Sequence, residues 1–194
     1  TNTATITSSG DITGGNNSAT AVFTVTAPVP GLCFAEYTGD SVTDFSSADA
    51  GAVRNAIAAA SPGGTVKIAG YCAGVVLDSG TTQVALITKT LTLAGGYTVT
   101  NWTTSFPITQ PTTLDALNGG RVLRITGGVP VEIVALTLQG GQLSGDGGGV
   151  HSDGPLSLNS VIVQNNSVSS ASGGGLYAAS TLWLTDTDFL SNTA

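Results

Sequence analysis

The chain has 194 residues, of which 75 are Thr, Ser or Gly (29, 19 and 27), while 41% are hydrophobic and only 9% charged. Five Lys and Arg against twelve Asp and Glu give a net charge of −7, which repels phosphate backbones and excludes a basic nucleic-acid binder. Small polar residues alternating with Val, Ile and Leu make the composition β-rich and exclude both an all-α protein and a disordered one, and no apolar run is long enough to cross a bilayer as a helix.

The chain opens at Thr1 inside what reads as a strand, so a processed product or a piece of a longer protein is expected. Residues 1–28 form a unit of their own. Thr3-Ala4-Thr5-Ile6-Thr7 alternates, and Gly10, Asp11, Gly14, Gly15, Asn16 and Asn17 supply turn chemistry. A second run then places Ala19, Ala21, Phe23 and Val25 on one face. Pro28 and Pro30 break that run, and 29–47 reads as a linker and the start of a cap. The stretch TNTATITSSGDITGGNNSATAVFTVTAP resembles the last two strands of the DUF11-like β-sandwich repeat of bacterial surfaces. The resemblance implies a terminal strand pair, or a donor-strand-type hairpin, that needs a further sheet to join.

Residues 48–60 are the one helical pattern, with Asp49 as a candidate cap, Val53, Ile57 and Ala60 recurring on one face, and Ser61-Pro62-Gly63-Gly64 as the stop. Thr65–Ala69 follows as a strand, and 48–83 reads as the cap of what comes after. Cys33 and Cys72 are the whole thiol inventory. In a chain this rich in Thr and Ser and poor in charge, the setting reads as extracellular. There the two are expected to form one disulfide, closing a loop of about 40 residues and contributing about 3–4 kcal/mol. The other reading is two separate buried thiols.

From residue 84 onward the sequence repeats. Pro130–Leu138 overlays Pro155–Val163 at an offset of 25, and that segment overlays Thr181–Phe189 at 26. The apolar columns are Ile125, Val150 and Leu176; Val131, Leu156 and Leu182; Ile133, Leu158 and Leu184; and Leu138, Val163 and Phe189. Gly147-Gly148-Gly149 and Gly173-Gly174-Gly175 share a phase. Such a period, with short strands and glycine corners, predicts a solenoid of about 25 residues per coil with these columns as its core. An antiparallel sandwich is the competing architecture, but it does not require column-by-column identity at a fixed offset. The stretches VEIVALTLQGGQLSGDGGGVHSDGPLSLNSVIVQNNS and GGGLYAASTLWLTDTDFLSNTA resemble the right-handed parallel β-helix repeats of bacterial surface proteins. The polymorphic outer-membrane-protein repeats and the extracellular repeats of Chloroflexota are similar in this way, and residues 48–72 resemble the segment that caps such helices. The resemblance implies an all-β, right-handed parallel β-helix over 84–194 with a short capping helix, interrupted by an excursion at 97–111. It also implies a secreted structural or adhesive role with glycans as candidate ligands. The N-terminal hairpin, whose apolar face has no sheet to join, and Leu182, Leu184 and Phe189 with no following repeat lead to the expectation of head-to-tail self-association or other surface proteins as partners, the alternative being two ends cut from a longer chain.

Polysaccharide lyases and hydrolases share this architecture, so a site is looked for. A lyase needs carboxylates for a cation and a basic residue, and a hydrolase needs paired carboxylates. From residue 84 the acids are Asp115, Glu132, Asp146, Asp153, Asp186 and Asp188, and the bases Lys89, Arg121 and Arg124. Asp146, His151 and Asp153 form the one local cluster. It reads either as a small acid/base or metal site, or as a solvated turn in which His151 shares a repeat phase with Tyr177; the second is favoured. Asp186 and Asp188 straddle Thr187 on one expected strand face, and Asp115 is expected to make a rim ion pair with Arg121 or Arg124. Tyr97, Trp102 and Phe106 mark the excursion as a cover or as an aromatic binding surface. No motif for a cofactor or a metal is present. The expectation is an architectural surface protein without catalysis. The alternative is a β-helix carbohydrate-active enzyme or glycan-binding module with an incomplete site.

Overall fold

The computed structural model describes residues 32–194 and, before them, two short strands, β1 (Asn2–Ala4) and β2 (Ala21–Phe23). These two pair antiparallel with Asn2 opposite Phe23. The Ala19 and Val25 positions of the expected apolar face lie outside the described residues.

In chain order the remaining elements are β3 (Cys33–Glu36), β4 (Phe45–Ser47), α1 (Gly51–Ala59), β5 (Gly64–Ala73), β6 (Val76–Asp78), β7 (Thr81–Ile87), β8 (Leu91–Ala94), β9 (Thr112–Asp115) and β10 (Arg121–Ile125). After them come β11 (Val131–Val134), β12 (Leu136–Gln139), β13 (Gln142–Leu143), β14 (Val150–Ser152), β15 (Leu156–Asn159), β16 (Ile162–Gln164), β17 (Ser167–Val168), β18 (Leu176–Ala178), β19 (Leu182–Thr185) and β20 (Asp188–Leu190). They form a parallel β-solenoid of about five turns.

Three sheets run along its axis. Sheet I is β7, β10, β14 and β18, with β6 antiparallel on the outer edge of β7. Sheet II is the first half of β5 followed by β8, β11, β15 and β19, and sheet III is the second half of β5 followed by β9, β12, β16 and β20. Each coil therefore contributes one strand to each sheet, as its three short alternating runs require. In the first coil α1 occupies the place of the sheet I strand. The stack thus begins at β5, and the boundary expected at residue 84 falls inside β7. The reason is the β6–β7 hairpin and the excursion, which separate the early coils by more than one period and hide their repeat.

Three of the four expected columns stand as read: Val131, Leu156 and Leu182; Ile133, Leu158 and Leu184; Leu138, Val163 and Phe189. They also extend upward, through Leu91, through Val66 and Leu93, and through Cys72 and Leu114. The fourth needs a correction. Val150 and Leu176 stack on Leu123, while Ile125 pairs with Ser152. The corner from Thr126 to Pro130 is two residues longer than the corner from Asp153 to Pro155, because it contains Gly127 and Gly128, both at positive φ. A constant offset carried through that corner slips by two, which leaves the strand face unchanged, and Ile125 remains fully buried. Ile133, Leu138, Leu156, Leu158, Val150 and Val163 are buried to 1% exposure or less, each contributing about 1.5–3 kcal/mol. In the last coil Leu184 and Phe189 are 48% and 42% exposed.

Between sheets II and III the chain turns on one left-handed residue per coil: Ala135, Ser160 and Asp186. In the second coil that corner is replaced by the excursion, which leaves β8 at Gly95-Gly96 and returns at Thr112. The glycine triplets form a ladder of their own, with Gly148 N donating to Gly173 O and Gly149 N to Gly174 O. A Cβ at Gly149 would sit 2.3 Å from Gly175 O, so only glycine permits this approach.

The N-terminal end is closed by β3, β4 and α1. Cys33 and Cys72 are disulfide-bonded with Cα atoms 4.7 Å apart, bringing β3 across the first coil, where it pairs antiparallel with β5. Val53, Ala56, Ile57 and Ala60 of the helical segment cover the core. Ser47 Oγ accepts from Ala52 N and Asp49 Oδ1 from Gly51 N, so Ser47 and Asp49 together cap the start of α1. Its end is held by Lys89, whose Nζ donates to Ala58 O and Ala60 O.

Candidate functional site

Strand alternation that sends Leu and Val inward sends the polar residues outward, so any site lies on an outer face or a corner. On sheet I the outward row is Leu86, Arg124, His151 and Tyr177. His151 stacks on Tyr177 with ring centroids 5.0 Å apart, and its Nε2 lies 2.9 Å from Asp153 Oδ1. Asp146 turns elsewhere: its carboxylate accepts from Ser172 N, and only its carbonyl meets His151 Nδ1, at 3.3 Å. The structure thus brings His151 and Asp153 together, places Tyr177 one rung below, and uses the Asp146 side chain to tie two coils. Among the described residues no three His, Cys, Asp or Glu side chains gather to hold a metal ion.

Arg121 is 2% exposed and serves the same corner, with Nε donating to Gly147 O and Nη2 to Asp146 O. Burial, with a smaller contribution from Arg124, lowers its pKa to about 10. The ion pair expected between Asp115 and Arg121 or Arg124 is absent among the described residues. Asp115 is itself buried and accepts from Tyr71 OH at 2.5 Å, from Gln139 Nε2 at 2.7 Å and from Leu117 N at 2.7 Å. Gln164 donates on to Gln139, which completes a polar chain up the outside of sheet III. Burial, followed by the Asp115 carboxylate, pushes the Tyr71 hydroxyl up to about 12. A neutral donor beside a buried acceptor outcompeted the distant guanidinium, whose own acceptors lie at the glycine corner.

Nor do Asp186 and Asp188 share a strand face. Asp186 is the left-handed corner residue, with φ +46, and Asp188 opens β20 on the next sheet. Both border a groove of about 500 Å³ whose other wall is Pro107, Ile108 and Pro111 of the excursion.

Of the two readings of Tyr97, Trp102 and Phe106, a cover or an aromatic surface, the packing agrees with the cover. Trp102 is 1% exposed, stacks on Tyr97 at 6.0 Å and donates Nε1 to Thr43 Oγ1. Lys67 Nζ sits 5.8 Å from the Tyr97 ring centroid and 2.9 Å from the buried Glu36 carboxylate. These aromatics pin the excursion to the cap, and only Phe106, 42% exposed, faces outward.

The residues that sequence reasoning missed lie on sheet II. Its outward row is Thr65, Thr92, Glu132, Ser157 and Trp183, one per coil. The signal was the alternation in Leu182-Trp183-Leu184, which places a tryptophan on the outer phase; Trp183 is 56% exposed. Beside this row a groove of about 330 Å³ runs along the corner between sheets I and II.

No family model, no curated protein and no solved structure matches this chain.

Proposed function

We propose that the chain is an extracellular structural and adhesive cell-surface module, of the kind its resemblance to bacterial parallel β-helix and β-sandwich repeats implies, and that it works within a filament, sheath or similar assembly without catalysing a reaction. The observation that carries this reading is how the chemistry-bearing side chains are employed. Arg121 and Lys89 donate to backbone carbonyls, Asp115 and Asp146 accept from neighbouring coils, and Glu36 and Lys67 pair under the excursion. Each acts to hold one coil to another or the cap to the first coil. The Cys33–Cys72 bond suits an oxidising, extracellular compartment. Among the described residues no helix is long and apolar enough to cross a membrane.

Head-to-tail contact between copies is the partner we infer, and a heterologous contact of that kind grows filaments when it does not close. The test of the non-catalytic reading is incubation with plain glycans and polygalacturonate, followed by assay of reducing ends and unsaturated uronates. No turnover is expected. Turnover abolished by replacing Asp146, His151 and Asp153 together would install the enzyme reading instead.

A further inference from the structure

We infer that the groove along the corner between sheets I and II is a binding site for an extended neutral glycan, with Trp183 as its stacking platform. The inference rests on the adhesive half of the reading above and gives it a ligand class. Four features of the groove point the same way. It is bordered by residues from successive coils, among them Thr92, Glu132, Ser157 and Trp183, so it runs along the solenoid axis and crosses the strands. Rungs of a parallel sheet repeat at about 4.8 Å, the order of length of one sugar unit, so successive coils meet successive units of a chain laid in the groove.

The second feature is Trp183, a large aromatic held 56% exposed on the middle of a strand, with small Ser157 beside it leaving the indole uncovered. Aromatic faces of this kind, with a few oriented polar groups nearby, suit a ligand that is apolar on its ring face and polar at its rim. The third is the polar set: the Thr92 and Ser157 hydroxyls and the Glu132 carboxylate, with Thr92 Oγ1 lying 3.4 Å from Glu132 Oε2. Each accepts a hydrogen bond from a hydroxyl, and none needs a charged partner. The fourth is charge. Glu132 is the one ionisable residue lining the groove and no cation lines it, which disfavours uronate or sulfate polymers. Pro130 and Pro155 stiffen the corner that forms one wall. A peptide added as an extra strand would seek a free sheet edge, whereas the groove crosses a sheet face on which β11 and β15 are paired on both sides.

The test is a tryptophan-fluorescence titration of the intact chain with cellohexaose, chitohexaose and mannohexaose, and with hexagalacturonate as the polyanionic comparison. Trp102 is buried, so Trp183 carries the response to solvent. The expected result is a blue shift with at least one neutral hexamer, no binding of hexagalacturonate to the wild type, and, by isothermal titration calorimetry, an affinity lowered about tenfold or more in Trp183→Ala, which lacks the reporting indole, without loss of thermal stability. Glu132→Gln, which removes the one charge lining the groove, should admit the polyanion. Absence of binding by all three neutral hexamers at millimolar concentration, equal affinity for hexagalacturonate, or full affinity in Trp183→Ala would each overturn the inference. Such a failure leaves the architectural reading standing, since that reading is tested by turnover and self-association. Cleavage of a bound hexamer would do the reverse.

Discussion

Asn166 and Asn192 make the same contacts one coil apart. Asn166 Nδ2 donates to Leu138 O and Asn192 Nδ2 to Val163 O, two carbonyls that are themselves partners in sheet III. Gly141 N donates to Asn166 Oδ1, and Asn166 N donates to Asn192 Oδ1. A buried asparagine ladder thus satisfies the backbone where each coil leaves sheet III, as a chain turning inside its own core requires.

Asn166→Ala strands the Leu138 carbonyl and the Gly141 amide in a site with no exposure, which should cost about 2–4 kcal/mol. Asn192→Ala should cost less, because Asn192 is only half-buried in the last coil. Chemical denaturation of the two variants checks the order. Equal losses, or no loss for Asn166→Ala, would contradict the ladder.

The Cys33–Cys72 bond closes a separation of 39 residues and pins β3 over the first coil, so the double Cys→Ser variant should lose about 3–4 kcal/mol. Guanidinium melts with and without reductant give the number. Alkylation of two thiols in the unreduced native protein would show that the bond does not form.

The corrected register predicts which core pairs interact. Leu123→Ala and Val150→Ala should be non-additive by about 0.5–3 kcal/mol, since the two side chains stack in adjacent coils, and Ile125→Ala with Val150→Ala should be closer to additive. Leu158→Asp, which buries a carboxylate with no partner at a fully enclosed position, should abolish cooperative folding. Wild-type thermal stability in Leu158→Asp would contradict the stack itself.

The repeat made most of this fold legible before any coordinates. Where coils follow one another at 25 or 26 residues, the columns through Leu156, Leu158 and Val163 emerge from spacing alone, because each buried rung must repeat its apolar face. Legibility stopped where a corner changed length. Gly127 and Gly128 shifted one column by two residues, and the excursion removed the first two coils from the pattern. The site was less legible for a different reason. The burial of Trp102 depends on how the excursion packs against the cap, which the local sequence does not carry, whereas the outward phase of Trp183 was legible in the alternation of β19.

Tyr71 should ionise late. Its hydroxyl is shifted from 10.0 up to about 12, first by burial and then by the Asp115 carboxylate that accepts its proton. A raised folded-state pKa contributes stability that is full below pH 10 and lost as the pH rises through about 12. Ultraviolet titration of the phenolates should show one late step that Tyr71→Phe removes, and the stability difference between the two proteins should shrink across that window. A Tyr71 that titrates at the ordinary value of 10.0 would contradict the contact with Asp115.

The architectural account is tested most directly by sedimentation velocity of the purified chain from micromolar concentration upward. The account predicts a mass that grows with concentration, as head-to-tail contact between copies requires. A wild type that stays a soluble monomer at every concentration would contradict it.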